Sequence, residues 1–244
     1  MKKLADICYS QNPHDRSYLD IYLPDGDIRA VLVYFHGGGL EHGSKGFGAT
    51  QAMIDKGVAV VCPNYRLYPN AQYPEFIENA AEACAWVKAN PQQFDGCETI
   101  FIGGSSAGGY LSLMLYLDRS YLGKYGLSCK DFAGFIPDAG QPTTHYNVLR
   151  ERGLKTNRVI IDEAAPIYHI DSYDSEPPML LFVAENDIPN RFEQTILLRS
   201  TLKEFGYPDE IVGYQYMPGY KHCGYICTPE YASAILTFID GITK

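Results

Sequence analysis

Thr99-Ile100-Phe101-Ile102-Gly103-Gly104-Ser105-Ser106-Ala107-Gly108-Gly109-Tyr110-Leu111 is the stretch that decides the fold of this 244-residue chain. Thr99 to Ile102 is a short apolar run that reads as a buried strand, and Ala107 to Leu117 reads as a helix. Between them Gly104-Ser105-Ser106-Ala107-Gly108 fits the pattern G-x-S-x-G in the strand, sharp turn, helix setting that this pattern requires. Such a turn forces the serine into strained backbone geometry. Glycines two residues before and after it leave room for neighbouring backbone. Ser106 would then project its Oγ from the end of a sheet. It would also sit at a helix N-terminus, whose free N–H groups and positive dipole end favour a developing negative charge.

The same alternation extends in both directions. Upstream, Leu19, Ile21 and Leu23 alternate with Tyr18, Asp20 and Tyr22, which predicts a half-exposed strand ending at Pro24-Asp25-Gly26. Ala30 to Phe35 and Val58 to Cys62 are continuous apolar runs, the mark of strands buried on both faces. Ala49 to Lys56 fits a short helix closed by Gly57, and Pro74 opens a long amphipathic helix that runs up to Pro91. Downstream, strands are predicted over Phe132 to Ile136, Met179 to Ala184 and Ile211 to Met217, with helices over about Phe192 to Phe205 and Pro229 to Ile242. Strands separated by helices imply parallel pairing, because each crossover needs a helix to return the chain to the same edge. The expected fold is therefore α/β, a mostly parallel central sheet with helices on both faces, forming a single domain over residues 1–244. Gln141 to Pro178 is the least regular stretch and reads as a short lid-like excursion over the sheet.

Composition narrows the function classes. Apolar residues make up 46% of the chain, and the formal charge of −9 repels phosphate backbones and anionic lipid surfaces. Neither nucleic acid nor membrane is expected as a partner, and a homo-oligomer is compatible with the sequence. Met1-Lys2-Lys3 resembles the start of a signal peptide, but Asp6, Ser10, Gln11, Asn12 and His14 interrupt any apolar segment, so a cytoplasmic location is expected. The seven cysteines are scattered without a CxxC pair, which predicts reduced thiols, mostly in the core, and no zinc site.

A second glycine cluster, His36-Gly37-Gly38-Gly39, directly follows the buried run Ala30 to Phe35. Three glycines let the backbone turn its N–H groups into a cavity where any Cβ would intrude, as an oxyanion hole demands. Gly38, Gly39 and Ala107 are the expected donors. No GK[ST] follows and neither cluster matches GxGxxG, so a phosphate cradle is disfavoured. A nucleophilic serine needs a base, and the base needs an orienting acid, in the order Ser, Asp or Glu, His. Of the six histidines only His222 lies beyond the last predicted strand, on the loop Pro218-Gly219-Tyr220-Lys221-His222-Cys223-Gly224. Asp187, three residues past Ala184, stands at a strand end where parallel sheets build their sites. Glu185 is its rival, and a helix cap is the structural alternative for Asp187.

Together these residues resemble the α/β-hydrolase superfamily, specifically the serine esterases with an HGGG motif related to hormone-sensitive lipase and to small acetyl-esterase-like enzymes. The likeness extends over nearly the whole chain. Asn64-Tyr65-Arg66-Leu67-Tyr68-Pro69 is similar to the family's Y-R-L-x-P element, Leu19-Asp20-Ile21-Tyr22-Leu23-Pro24 to its first strand, and Ala165-Pro166-Ile167 to the segment before the strand of the catalytic acid. The resemblance implies Ser106 as nucleophile, Asp187 as acid and His222 as base. Ligand spacing gives no support to metal catalysis, and no cofactor is expected. Three departures stand out. Only Met1 to Tyr18 precede the first predicted strand, so no large cap domain is expected, Ser105 stands where many relatives have an acid, and Cys223 stands where a glycine is usual.

The expected activity is hydrolysis of short-chain carboxylic esters through an acyl-enzyme on Ser106, with acetyl esters of sugars or other small alcohols as the substrate class. Tyr65, Tyr68, Tyr73, Tyr146 and Tyr225, near predicted loops, would suit stacking on a sugar ring. An arylformamidase-like amide hydrolase and a non-catalytic ligand-binding protein on the same fold are the alternatives.

Overall fold

The computed structural model describes residues 1–243. In chain order the elements are β1 (Lys2–Cys8), β2 (Tyr18–Leu23), β3 (Ala30–Phe35), α1 (Thr50–Ile54), β4 (Val58–Pro63), α2 (Glu75–Ala89), β5 (Ile100–Ser105), α3 (Ala107–Leu117), α4 (Arg119–Gly123), β6 (Gly134–Asp138), α5 (Tyr146–Glu151), β7 (Met179–Asn186), α6 (Arg191–Glu204), β8 (Val212–Lys221) and α7 (Pro229–Ile242). They form an eight-stranded sheet in the order β1-β2-β4-β3-β5-β6-β7-β8. Strands β3 to β8 pair in parallel, while β2 runs antiparallel to β4 and β1 antiparallel to β2.

The period of two along each central strand divides the core between the faces. Val31, Val33 and Phe35 of β3 pack with α2 and α3, whereas Ala30, Leu32 and Tyr34 pack with α1 and α7. From β3 the chain crosses first to β4 on one side and then, through α2, to β5 on the other. That reversal opens a crevice at the carboxyl ends of β3 and β5, where the two glycine clusters lie.

Several sequence expectations need correction. Strand β1 was not expected, because Lys2, Lys3 and Asp6 are exposed and give it no apolar alternation; it is an edge strand, where lysines are tolerated. Asp20 does not face solvent but is buried in β2 with Lys3 Nζ at 2.8 Å, and Lys45 also binds its carboxylate. The strand expected at Phe132 to Ile136 lies two residues later, at Gly134–Asp138, and β8 runs on through Pro218 to Lys221, an edge position where proline is allowed. Within the irregular stretch 141–178 the chain forms α5, and Gln141, Thr143, Thr144, His145 and Asn147 are buried. The cysteines are all free, but only Cys62, Cys84 and Cys129 are buried, and Cys8 and Cys227 are exposed.

Candidate active site

Ser106 joins β5 to α3 with φ 55° and ψ −109°, a conformation that costs a non-glycine residue about 1–3 kcal/mol. Its surroundings hold it there. Every residue of α3 is buried, and the Ser106 N–H donates to the Asp138 carbonyl at 2.8 Å. A Cβ on Gly108 would lie 2.0 Å from the Phe35 carbonyl oxygen, and one on Gly104 would lie 2.6 Å from the Gly108 carbonyl carbon. Both clashes are with backbone, which cannot swing aside, so the two glycines let β3, β5 and α3 approach one another at the serine.

Strands β7 and β8 bring two further side chains to the same end of the sheet. His222 directly follows β8, and its Nε2 is 2.8 Å from Ser106 Oγ. Its Nδ1 is 2.5 Å from Oδ1 of Asp187, one residue past β7, whose carboxylate is buried and also accepts from the Ile188 N–H at 2.8 Å. A carboxylate only accepts, so Nδ1 carries the proton and Nε2 presents its lone pair to the serine hydroxyl. Glu185 is used differently: its Oε2 accepts from the Gly219 N–H at 2.6 Å and ties the end of β8 to β7. Cys223 has φ 53°, a left-handed conformation that explains why glycine suits this position.

The loop after β3 closes the site. Gly37 lies against the serine, since a Cβ there would be 3.4 Å from Ser106 Cβ. Gly38 and Gly39 have φ of 113° and 64°, and a Cβ on Gly39 would come within 1.8 Å of the Tyr146 hydroxyl. Among the described residues, no protein acceptor takes the N–H groups of Gly38, Gly39 or Ala107. His36 pegs the loop: its Nδ1 donates to the Gly37 carbonyl at 2.6 Å and its Nε2 faces Arg16 at 3.3 Å. Burial pushes its pKa down to about 4 and the Arg16 charge adds to this, so the imidazole is neutral at pH 7. Asn147 of α5 holds the Gly39 carbonyl at 2.8 Å, so the start of the 141–178 stretch braces the glycine loop.

Not all the expected tyrosines are available to a ligand. Tyr65 is fully buried and donates to the His36 carbonyl, and Tyr225 is fully buried in the core, which leaves Tyr68, Tyr73 and Tyr146 partly exposed.

Residues that sequence reasoning missed lie beneath the Ser106, His222 and Asp187 relay. Asp138, at the end of β6 and fully buried, accepts hydrogen bonds from Tyr225 at 2.5 Å and Tyr231 at 3.0 Å, and Tyr231 in turn is 2.7 Å from the Tyr34 hydroxyl. Tyr225 is three residues beyond His222, so the network ties the histidine loop to the sheet. Placing the strand two residues too early hid this carboxylate, whose position at a strand end was the available signal. Burial pushes its pKa up to about 6, against the two tyrosine hydroxyls that pull it down. A carboxyl with a raised native pKa contributes stability that is complete below its unfolded value and is lost as pH rises through the native one. Asp138→Asn removes that step. From about pH 4 to pH 8, urea-unfolding free energies should shift in the variant's favour relative to wild type by up to about 3 kcal/mol, at about 1.4 kcal/mol per unit. A difference that does not vary with pH would place the Asp138 carboxyl at its ordinary value.

Among the described residues no cluster of three or more His, Cys, Asp or Glu is placed to hold a metal ion, and no helix is long and apolar enough to cross a membrane.

Comparison with known proteins agrees with this architecture. The BD-FAE family matches residues 19–121, and the prolyl oligopeptidase family matches residues 75–241. The chain is 29% identical over 119 residues to the "Probable isoprenylcysteine alpha-carbonyl methylesterase ICMEL1" of Oryza sativa subsp. japonica, covering 47% of this chain and 28% of that protein. It is 25% identical over 240 residues to an "Acetyl esterase" of Salmonella typhi, covering 88% of this chain and 71% of that one. The chain thus spans about a quarter of the length of the rice relative. A solved "Truncated form of carbohydrate esterase from gut microbiota" superposes with a TM-score of 0.80 at 17% identity, over 100% of this chain and 96% of that one, a likeness of fold. With the parallel sheet, the strained serine between β5 and α3, and a family match over most of its length, the chain belongs to the prolyl oligopeptidase family and has the α/β-hydrolase fold.

Proposed function

We propose that this chain hydrolyses short-chain carboxylic esters through an acyl-enzyme on Ser106. The observation that carries this is the relay of 2.8 Å from Ser106 Oγ to His222 Nε2 and 2.5 Å from His222 Nδ1 to Asp187. In that arrangement Ser106 Oγ attacks the ester carbonyl while His222 takes its proton, and the imidazolium returns it to the departing alcohol. Asp187 holds the tautomer and stabilises the imidazolium. The N–H groups of Gly38, Gly39 and Ala107 receive the oxyanion, and a water activated by His222 then releases the acid.

Two observations support a short acyl group: the Tyr146 hydroxyl hangs directly over Gly39, and its neighbours His145 and Asn147 are buried, Asn147 against the Gly39 carbonyl. The name of the Salmonella relative supports an acetyl group. The test is hydrolysis of p-nitrophenyl acetate, butyrate and octanoate. We expect kcat/KM to fall by about tenfold or more from acetate to octanoate, since each excluded methylene costs on the order of 1 kcal/mol. Equal or faster turnover of octanoate would remove the short-chain part of the proposal.

The match to the prolyl oligopeptidase family favours amide cleavage as a second reading. p-Nitroacetanilide, which releases p-nitroaniline where the ester releases p-nitrophenol, tests it, with preference for the anilide over the ester as the supporting result.

A further inference from the structure

Beside the triad is a cavity of about 210 Å³ with an uneven charge. Tyr146, whose hydroxyl covers Gly39, forms one wall, and Ile188, directly after Asp187, forms part of another. Its only charged lining residues are Arg158 and Arg191, in a chain with a formal charge of −9.

Arg191 is 3% exposed. Its guanidinium donates to the Ala139 carbonyl and, at 3.2 Å, to Gln141 Oε1, both uncharged acceptors. Among the described residues no carboxylate forms an ion pair with it, or with the exposed Arg158. The nearby acids are engaged: Asp187 with His222 and the Ile188 N–H, and Glu41 with Arg150. Hydrogen-bonded only to neutral acceptors, this buried guanidinium feels the Asp187 charge through space but still carries a desolvation cost, to which the positive end of the α6 dipole at its first residue adds. Pinning Ala139 and Gln141 needs no full positive charge, whereas binding a carboxylate does. A planar carboxylate matches the fork of a guanidinium, and Arg158 would supply a second contact from the rim.

We propose that this cavity is an anion subsite and that the preferred substrates are esters carrying a carboxylate, held by Arg191 and Arg158 while the ester carbonyl lies at Ser106. Turnover of such an ester rests on the hydrolase activity proposed above, whereas capture of the carboxylate does not.

The experiment therefore has two arms. In the first, kcat/KM is compared between matched neutral and anionic esters: phenyl acetate with 4-acetoxybenzoate for a carboxylate on the alcohol part, and p-nitrophenyl valerate with mono-p-nitrophenyl glutarate for one on the acyl part. The expected result is an anionic-over-neutral ratio of about tenfold or more in one pair, carried by KM, that falls about fivefold or more in Arg158→Gln. Arg158 is exposed, so its replacement leaves the core intact; Arg191→Gln should lower the ratio further but also removes the hold on Ala139. In the second arm, calorimetry measures benzoate and glutarate binding to wild type, Ser106→Ala and Arg158→Gln. Binding retained in Ser106→Ala and weakened in Arg158→Gln supports the subsite even if no ester is turned over. Equal ratios in wild type and Arg158→Gln, together with no carboxylate binding, would overturn it.

Discussion

Ser106→Ala lowers kcat on p-nitrophenyl acetate by about 10⁴-fold or more, because removing the nucleophile of a serine relay leaves only what the oxyanion donors and binding supply. The variant keeps the Cβ, so the backbone at φ 55° retains its geometry and its thermal unfolding should stay close to wild type. Ser106→Gly is the informative partner. It abolishes turnover equally, yet it relieves a conformation that costs a non-glycine residue about 1–3 kcal/mol, so it should be more stable than wild type by about 1 kcal/mol. Loss of activity with gain of stability would show strain stored at this serine for a use other than folding. Substantial turnover remaining in both variants would remove Ser106 from the chemistry.

Asp187→Asn is expected to lower kcat by about 10⁴-fold with little change in KM. The amide can donate where the carboxylate only accepts, so it can stabilise the other imidazole tautomer, with the proton on Nε2 pointing at the serine instead of a lone pair. It also removes the buried negative charge 2.5 Å from Nδ1 that would stabilise the imidazolium. Glu185→Gln makes the contrast. Its carboxylate accepts the Gly219 N–H, a bond that an amide oxygen can also accept, and it does not touch His222, so activity should remain within about threefold of wild type. Reversal of the two results would exchange the roles of these carboxylates.

Elements with a strong period and clear punctuation were legible before any coordinates. The helix expected over Ala107 to Leu117 matches α3, and the runs at Ala30 to Phe35 and Met179 to Ala184 fall on β3 and β7. Their patterns follow from burial on two sheet faces, which leaves continuous apolar runs in the chain. Strand β1 left no such mark, because its Lys2, Lys3 and Asp6 are exposed and its pairing depends on β2, already attached to β4. The tyrosines mislead for a related reason: an amphipathic side chain suits a ligand surface and a buried hydrogen bond equally, and only the partners of Tyr65 and Tyr225 distinguish them.

The sequence by itself determined the parallel architecture and the turn that carries Ser106, because hydrophobic period and glycine spacing are local properties of the chain. It also narrowed the candidate base to one histidine, since chain order leaves only His222 beyond the last predicted strand. Tertiary structure alone decided which carboxylate faces His222, because Asp187 and Glu185 are two residues apart and the close of β7 turns one toward the imidazole and the other toward Gly219. It alone brought Asp138 under the histidine loop and left Arg191 buried with neutral hydrogen-bond acceptors. Both depend on contacts between strands and helices far apart in the chain, and the free energy of a buried charge is set by what surrounds it in space.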